Sequence, residues 1–256
     1  MGPPPQPVRT SLLEEDPELG RWLSPSEIVE ARRRAVVPVL RLPRGRWQPR
    51  APRTRARDHL GFVVLDGLIA RDESLAGSTA TELIGPGDFV QPWVADGSLV
   101  PSEISWTAMR PTRLAVLGPS FVAATEPWPG LRSALLERAM DRCSRISTHH
   151  ALSQLSRVDA RLLVLLWHLA ERWGRVARGG IVMPLRLSHE ALGHLVGAKR
   201  PTVSLALGRL QADGLIARRA DRTWLLLGTA EDALGRVCAG GCSKATIPLY
   251  TSSRPA

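Results

Sequence analysis

The chain is poor in the residues that most cofactor and redox chemistry requires. It has three cysteines in 256 residues, whereas an iron–sulfur cluster takes about four thiolate ligands. Thiols this sparse suit a reducing, cytosolic compartment better than a secreted one. Cys238-Ala-Gly-Gly-Cys242 leaves two readings open, a redox pair or a flexible glycine-rich tail. No apolar run approaches the roughly 18 residues of a membrane span, so no membrane association is expected. Met1-Gly2-Pro3-Pro4-Pro5 has neither a basic n-region nor an apolar h-region, so no signal peptide is expected. A nucleophile elbow, a Walker loop and a paired-carboxylate motif are all missing, which leaves an enzyme reading without support. His189-Glu190-Ala-Leu-Gly-His194 resembles a zinc-protease helix only superficially, since that motif spaces its histidines four apart. Five residues turn a helix by about 140° beyond one full revolution, so these two imidazoles cannot share an ion. Neither a metal nor another cofactor is expected.

What the chain does have is basic charge. It carries 34 Lys and Arg against 24 Asp and Glu, a net charge of +10 and a pI near 11.1, which favours an anionic polymer or surface as partner. The excess is uneven. Residues 1–155 hold 19 basic and 17 acidic side chains, and residues 156–256 hold 15 and 7.

The most informative stretch runs from Leu185 to Leu227. Ser188 suits a helix N-cap, with Glu190 in a first turn where the helix dipole favours an acid. Leu192, Leu195 and Val196 form one apolar stripe at helical spacing. Gly193 is small where a second helix must come close, and Gly197 follows the stripe where a left-handed residue ends a helix. A second helix is expected from about Lys199 to Gln211, with Val203, Leu207 and Leu210 inward and Lys199, Arg200, Thr202, Ser204 and Leu205 outward. Leu215 to Arg219 and Thr223 to Leu227 then flank Ala-Asp-Arg as a hairpin whose tip carries Arg218, Arg219 and Arg222. Helix, glycine turn, helix and basic hairpin in this order are the build of a winged helix-turn-helix, whose second helix enters the DNA major groove.

The run L-S-H-E-A-L-G-H-L-V-G-A-K-R-P-T-V-S-L-A-L-G-R-L-Q-A-D-G-L-I resembles the DNA-binding domain of the Crp/Fnr (cyclic-AMP receptor/fumarate-nitrate regulator) family. The resemblance covers about Val158 to Gly228. It implies base reading by Arg200 and Pro201 at the opening of the recognition helix, and by Ser204 and Leu205 one turn later. Ser188 is placed on a phosphate, and Lys199, Thr202, Arg218, Arg219 and Arg222 are expected on further phosphates. Pro201 stands where the family's best-known members have an acid, and Leu205 where they have an arginine, so the best-known operator is not expected. Proline in the first turn costs the helix no hydrogen bond. Arg200 suits a guanine.

The preceding residues read as β structure. Gly61 to Leu65 and Leu68 to Arg71 flank Asp66-Gly67, a hairpin signal. Glu82-Leu83-Ile84 leads into Gly85-Pro86-Gly87-Asp88-Phe89, and Trp106 to Met109 and Arg113 to Leu117 supply further strands. This pattern resembles the β-roll sensor of the same family, a cyclic-nucleotide-binding-like jelly roll. The phosphate-binding residues are absent, however. Phe89-Val90-Gln91-Pro92 lacks the family's glycine and glutamate, and Trp106-Thr107-Ala108 has tryptophan in place of arginine. Without that charge-assisted contact a buried phosphate would be uncompensated, so no cyclic nucleotide is expected. Trp93 and Trp106 would fill the pocket, or another ligand would. Glu103, Arg110 and Arg113 read as surface charges.

From Pro129 a helix of some six turns is expected. Leu131, Leu135, Ala139, Cys143, Ile146 and His150 form a slowly drifting stripe, which the resemblance assigns to pairing with a second copy and which can also pack on the β-roll. Two recognition helices on a two-fold axis suit a palindromic site. His149-His150 reads as a helix-surface pair. Asp159 to Trp173 is a leucine-dense helix beneath the winged motif, and Arg178-Gly-Gly180 is a break.

Residues 1–57 read as an extension, with a short helix or two around Trp22 and Leu23. Its ten arginines between Arg32 and Arg57, with no acid, make either a solvated linker or an arm along DNA phosphates, although Val36 to Leu42 alternates like an edge strand. The expected fold class is α+β, divided into a basic extension at 1–57, a β-roll at 58–128 and a dimerisation helix at 129–156. A winged helix-turn-helix at 157–229 and a flexible tail at 230–256 complete it. The expected function is that of a homodimeric, sequence-specific, cytoplasmic transcription regulator on double-stranded DNA, with RNA polymerase and a small-molecule effector as further partners. The competing reading is an architectural nucleic-acid-binding protein without sequence choice.

Overall fold

The computed structural model describes residues 8–49, 59–93 and 100–239. Contacts divide the chain into two units, 1–150 and 151–256.

The first unit is built on an antiparallel sheet that begins well before residue 58. β1 (Arg9–Ser11) pairs with β2 (Val36–Leu42), and between them lie α1 (Leu12–Glu15), a 3-10 turn (Pro17–Gly20) and α2 (Pro25–Arg34). α2 starts at a capping box. Ser24 accepts from the Glu27 backbone N–H, the Glu27 carboxylate accepts from the Ser24 N–H, and Pro25 follows. β3 (Gly45–Trp47), β4 (Gly61–Leu75), β5 (Ser78–Ile84), β6 (Phe89–Val90) and β7 (Glu103–Leu117) complete the sheet, in the order β1-β2-β7-β4-β5. β3 is added on β7 and β6 on β4. Most of the expected extension is therefore sheet and helix. Arg32, Arg33 and Arg34 close α2, Arg41 lies on β2 and Arg46 on β3, so these are not linker residues. Arg44 lies exposed in the bend between β2 and β3, and the remaining four, Arg50, Arg53, Arg55 and Arg57, lie outside the described residues.

Two strand assignments also change. Asp66-Gly67 is not a hairpin turn, because β4 runs through it and pairs with β7 on both sides, with register shifts between Val64 and Ile69. Gly67, at φ +111°, sits so close to Thr112 that a Cβ would lie 2.2 Å from its Oγ1. The hairpin turn falls instead at Ala76-Gly77, both with positive φ, between β4 and β5. Trp106 to Met109 and Arg113 to Leu117 are one strand, β7, rather than two. Arg110 is exposed, as expected, Arg113 is half-buried, and each has a partner. Arg110 donates to the Gly67 carbonyl at 3.0 Å, and Arg113 pairs with Glu15 at 2.5 Å, which holds the Glu15 carboxyl below its usual range.

α3 (Pro119–Ala124) leads into α4 (Pro129–Ser153). One face of α4 is fastened to the first unit. Leu131, Ala134 and Leu135 enter a core cluster with Leu12, Leu13, Val37, Val63 and Phe121. Beyond them Arg138 binds Asp16 at 3.1 Å, Arg142 binds Glu82 through two contacts of 2.6 and 2.7 Å, and Arg145 pairs with the buried Asp88. The Asp88 carboxylate also accepts from the Gly85 N–H at 2.8 Å, closing the Gly85–Asp88 turn.

The second unit places α5 (Val158–Trp173) against the smaller helices. Leu162, Leu163, Leu165, Leu166 and Leu169 are all buried. β8 (Arg175–Ala177) and β9 (Gly180–Met183) make a hairpin where a simple break was expected. α6 (His189–Val196) and α7 (Arg200–Ala212) follow, then β10 (Ile216–Arg218) and β11 (Trp224–Leu227). β11 pairs with β9 as well as β10, so the wing belongs to a four-stranded sheet ordered β10-β11-β9-β8. α8 (Ala230–Ala239) is a helix where a flexible tail was expected, and it buries Ala233. Cys242 lies outside the described residues, as does the side chain of Cys238. Among the described residues no helix is long and apolar enough to cross a membrane.

Candidate nucleic-acid interface

The geometry of α6 and α7 follows from four local features. Ser188 caps α6, its Oγ accepting from the Ala191 N–H at 3.0 Å, which leaves its hydroxyl proton for an outside acceptor. Gly197 ends the helix in the left-handed conformation, φ 62°, ψ 43°. A Cβ on Gly193 would lie 2.4 Å from the Ala198 carbonyl oxygen. This glycine makes room for the turn itself, and the second helix packs just beyond, with Val203 Cγ2 at 3.7 Å. Pro201 occupies the first turn of α7, where no intrahelical donor is lost.

α7 turns Val203, Ala206, Leu207 and Leu210 inward, and all four are buried. Lys199, Arg200, Pro201, Thr202, Ser204 and Leu205 are exposed, and Leu205 is 68% accessible. The base-reading and phosphate residues expected on this helix thus share one open face. The wing adds its cations beside them. Arg218, Arg219 and Arg222 are exposed at the end of the β10–β11 hairpin. Arg222 adopts φ +66°, and its N–H donates to the Arg219 carbonyl at 3.0 Å. The Asp221 carboxylate is spent inside the turn, accepting from the Thr223 N–H at 3.0 Å and hydroxyl at 2.5 Å. These bonds hold its carboxyl below the usual range. Arg218 lies with its guanidinium 4.3 Å from the centre of the Trp224 ring. Stacking uses the face of the guanidinium and leaves its N–H edge for an anion.

One residue of this surface was missed in sequence. His189, considered there only as a metal ligand, contacts Ser204 across the two helices, Nδ1 to Oγ at 2.8 Å. Burial, then Arg218, then Arg200, lower its pKa and favour the neutral ring. Only an i, i+15 pairing across a known helix–helix angle could have shown this contact.

In the first unit, Trp106 is 5% exposed and meets Trp47 edge to face at 5.6 Å. Trp47 meets Phe62 at 5.7 Å, and Phe62 meets Trp93 at 5.8 Å. These rings pack with Val64, Ile69, Ile84 and Leu114 in one core cluster. Arg71 lies 5.9 Å from the Trp106 ring and pairs with Glu73 at 2.9 Å.

The residues expected at a dimer interface do not share one environment. Leu131 and Leu135 are 1% and 4% exposed, buried by their own chain. They are unavailable to a partner. Cys143 and Ile146 are exposed and Ala139 is half-buried, while the largest open apolar side chains of α4 are Leu136 and Met140, at 63% and 62%.

Residues 160–231 match the Crp-like helix-turn-helix domain. No curated protein matches the chain. Among solved structures, it is similar to a CRP-family transcriptional regulator from Thermus thermophilus, at 24% identity over 77% of this chain and 96% of the other, with a TM-score of 0.56. CooA from Carboxydothermus hydrogenoformans is 18% identical over 89% and 95%, TM-score 0.61. FixK2 from Bradyrhizobium japonicum is 17% identical over 78% and 96%, TM-score 0.58. Identities this low speak for fold, and the domain match speaks for the helix-turn-helix. The chain carries a Crp-like helix-turn-helix domain at residues 160–231 and shares its fold with these CRP/FNR-family structures.

Proposed function

We propose that the chain is a sequence-specific, homodimeric transcription regulator whose β-roll binds no cyclic nucleotide. The observation that carries this reading is the open face of α7, where Arg200, Ser204 and Leu205 stand exposed beside an arginine-tipped wing. Arg200 reads a guanine and Leu205 packs on a neighbouring base, with a thymine methyl its best fit. Pro201 pre-sets the first turn between them. Ser188, Lys199, Thr202, Arg218, Arg219 and Arg222 contact phosphates, fixing register without choosing sequence. Pairing of two copies uses the open side of α4, Leu136, Met140, Cys143 and Ile146 with Ala139 at its edge, and places two α7 helices on a palindromic site. The ring-filled interior around Trp106 supports the absence of nucleotide binding.

Competition titration of selected against random duplex tests the reading. Arg200→Ala is expected to weaken the selected duplex at least about tenfold, the size of one good bidentate base contact, and to leave random duplex within about threefold. Equal weakening of both would favour the architectural alternative.

A further inference from the structure

The contact between His189 and Ser204 has a consequence for which bases α7 accepts, and it rests on the reading of α7 as the recognition helix. Ser204 Oγ lies 3.1 Å from the Arg200 carbonyl oxygen and 2.8 Å from His189 Nδ1. A serine hydroxyl has one proton and two lone pairs, and a carbonyl oxygen can only accept. If the hydroxyl proton pointed at Nδ1, Oγ and the Arg200 oxygen would face each other as two acceptors. The arrangement that makes both bonds sends the hydroxyl proton to the Arg200 carbonyl and the Nδ1 proton to Oγ. The single donor of Ser204 is then used inside the protein, together with one lone pair. One lone pair is left, on the exposed side.

We infer that His189 is a specificity-determining positioning residue, which turns Ser204 into an acceptor-only reader and so selects a base bearing an amino group in the major groove. A free serine accepts either class of base, because it can donate to a keto oxygen or accept from an amino group. A serine held between the Arg200 carbonyl and the His189 ring cannot donate outward. Cytosine N4 and adenine N6 are amino donors, whereas guanine O6 and thymine O4 would meet Ser204 as acceptor against acceptor. The neutral ring favoured by its surroundings serves as well as the cation here, since either can carry a proton on Nδ1.

The test is selection from a random duplex pool with the full chain, followed by affinities for all four base pairs at each enriched position. The Ser204 position is identified as the one whose preference Ser204→Ala removes. There the native protein is expected to favour an amino-bearing base at least about fivefold, within the range for a single base contact. His189→Ala, which removes the ring donor and lets the hydroxyl proton turn from the Arg200 carbonyl to a base, is expected to flatten that preference to within about twofold. His189→Asn restores a donor at the place of Nδ1 and is expected to bring it back. The preference assigned to Arg200 should survive in all three variants, which shows that each is folded and bound. An unaltered preference in His189→Ala, or a native preference for keto bases, overturns the inference alone. If the native chain enriches no sequence at all, the regulator reading fails first and this inference falls with it.

Discussion

Among single residues, Asp159 shows how a charge is made useful by its position. It sits in the first turn of α5, where its carboxylate accepts from the Ala160 N–H at 2.9 Å and from Arg157 at 3.1 and 2.5 Å. The Arg157 bond, first of several causes, holds its carboxyl below the ordinary range. A depressed carboxyl stabilises the fold above the unfolded value near ~4, and that contribution disappears as pH falls through the lower folded value. Asp159→Asn is expected to cost about 1 kcal/mol at pH 7, the size of a favourable charge at a helix N-terminus. The loss should shrink below pH ~4. Urea midpoints at pH 7 and pH 3 measure both, and an equal loss at the two would contradict the assignment. His189 was legible as a residue but not as a contact. Its partner Ser204 lies 15 positions away, and no periodicity links the first residue of one helix to the second turn of the next.

Elements show the limits of periodic patterns more sharply. The stripe Leu131, Leu135, Ala139, Cys143 repeats every four residues, and each step advances about 40° around a helix of 3.6 residues per turn. It therefore starts on the face that Arg138, Arg142 and Arg145 fasten to the β-sheet unit and ends on the opposite, open side. Period alone joined two faces into one. Leu136→Glu with Met140→Glu is expected to convert the proposed dimer to a monomer with the thermal midpoint of the β-sheet unit unchanged within about 2 °C, since exposed substitutions usually stay within about 0.5 kcal/mol. Leu135→Glu, burying an unpaired charge, should instead unfold that unit. Sedimentation and thermal scans distinguish the two outcomes. If the double variant stayed dimeric, the open side of α4 would lose its proposed role. Asp66-Gly67 misled for a related reason. The dipeptide is a turn signal, but Gly67 is needed for a close approach to Thr112, a residue 45 positions away.

At the scale of the molecule, the basic excess and the winged motif point to DNA, while the proposed function takes the aromatic packing around Trp106 to leave no room for a cyclic nucleotide. Adding cyclic AMP or cyclic GMP to the full chain at millimolar concentration is expected to leave the thermal midpoint unchanged. A ligand at 100 times its Kd would add about 2.7 kcal/mol, worth roughly 5 to 10 °C for a unit of this size. A shift of that order would refute the reading of Trp106 as filler. The helix-turn-helix was readable in the sequence because its determinants are local: a cap at Ser188, a left-handed Gly197, apolar spacing and a wing turn all act within a few residues. The chain by itself also placed tryptophan at 106, an identity that no fold can change. The tertiary structure alone decided that β1, β2 and β3 join the sheet, that β4 and β7 are each one long strand, which side of α4 is open and that His189 meets Ser204. Each of these depends on groups far apart in the chain meeting in space, and no short-range preference encodes such a meeting.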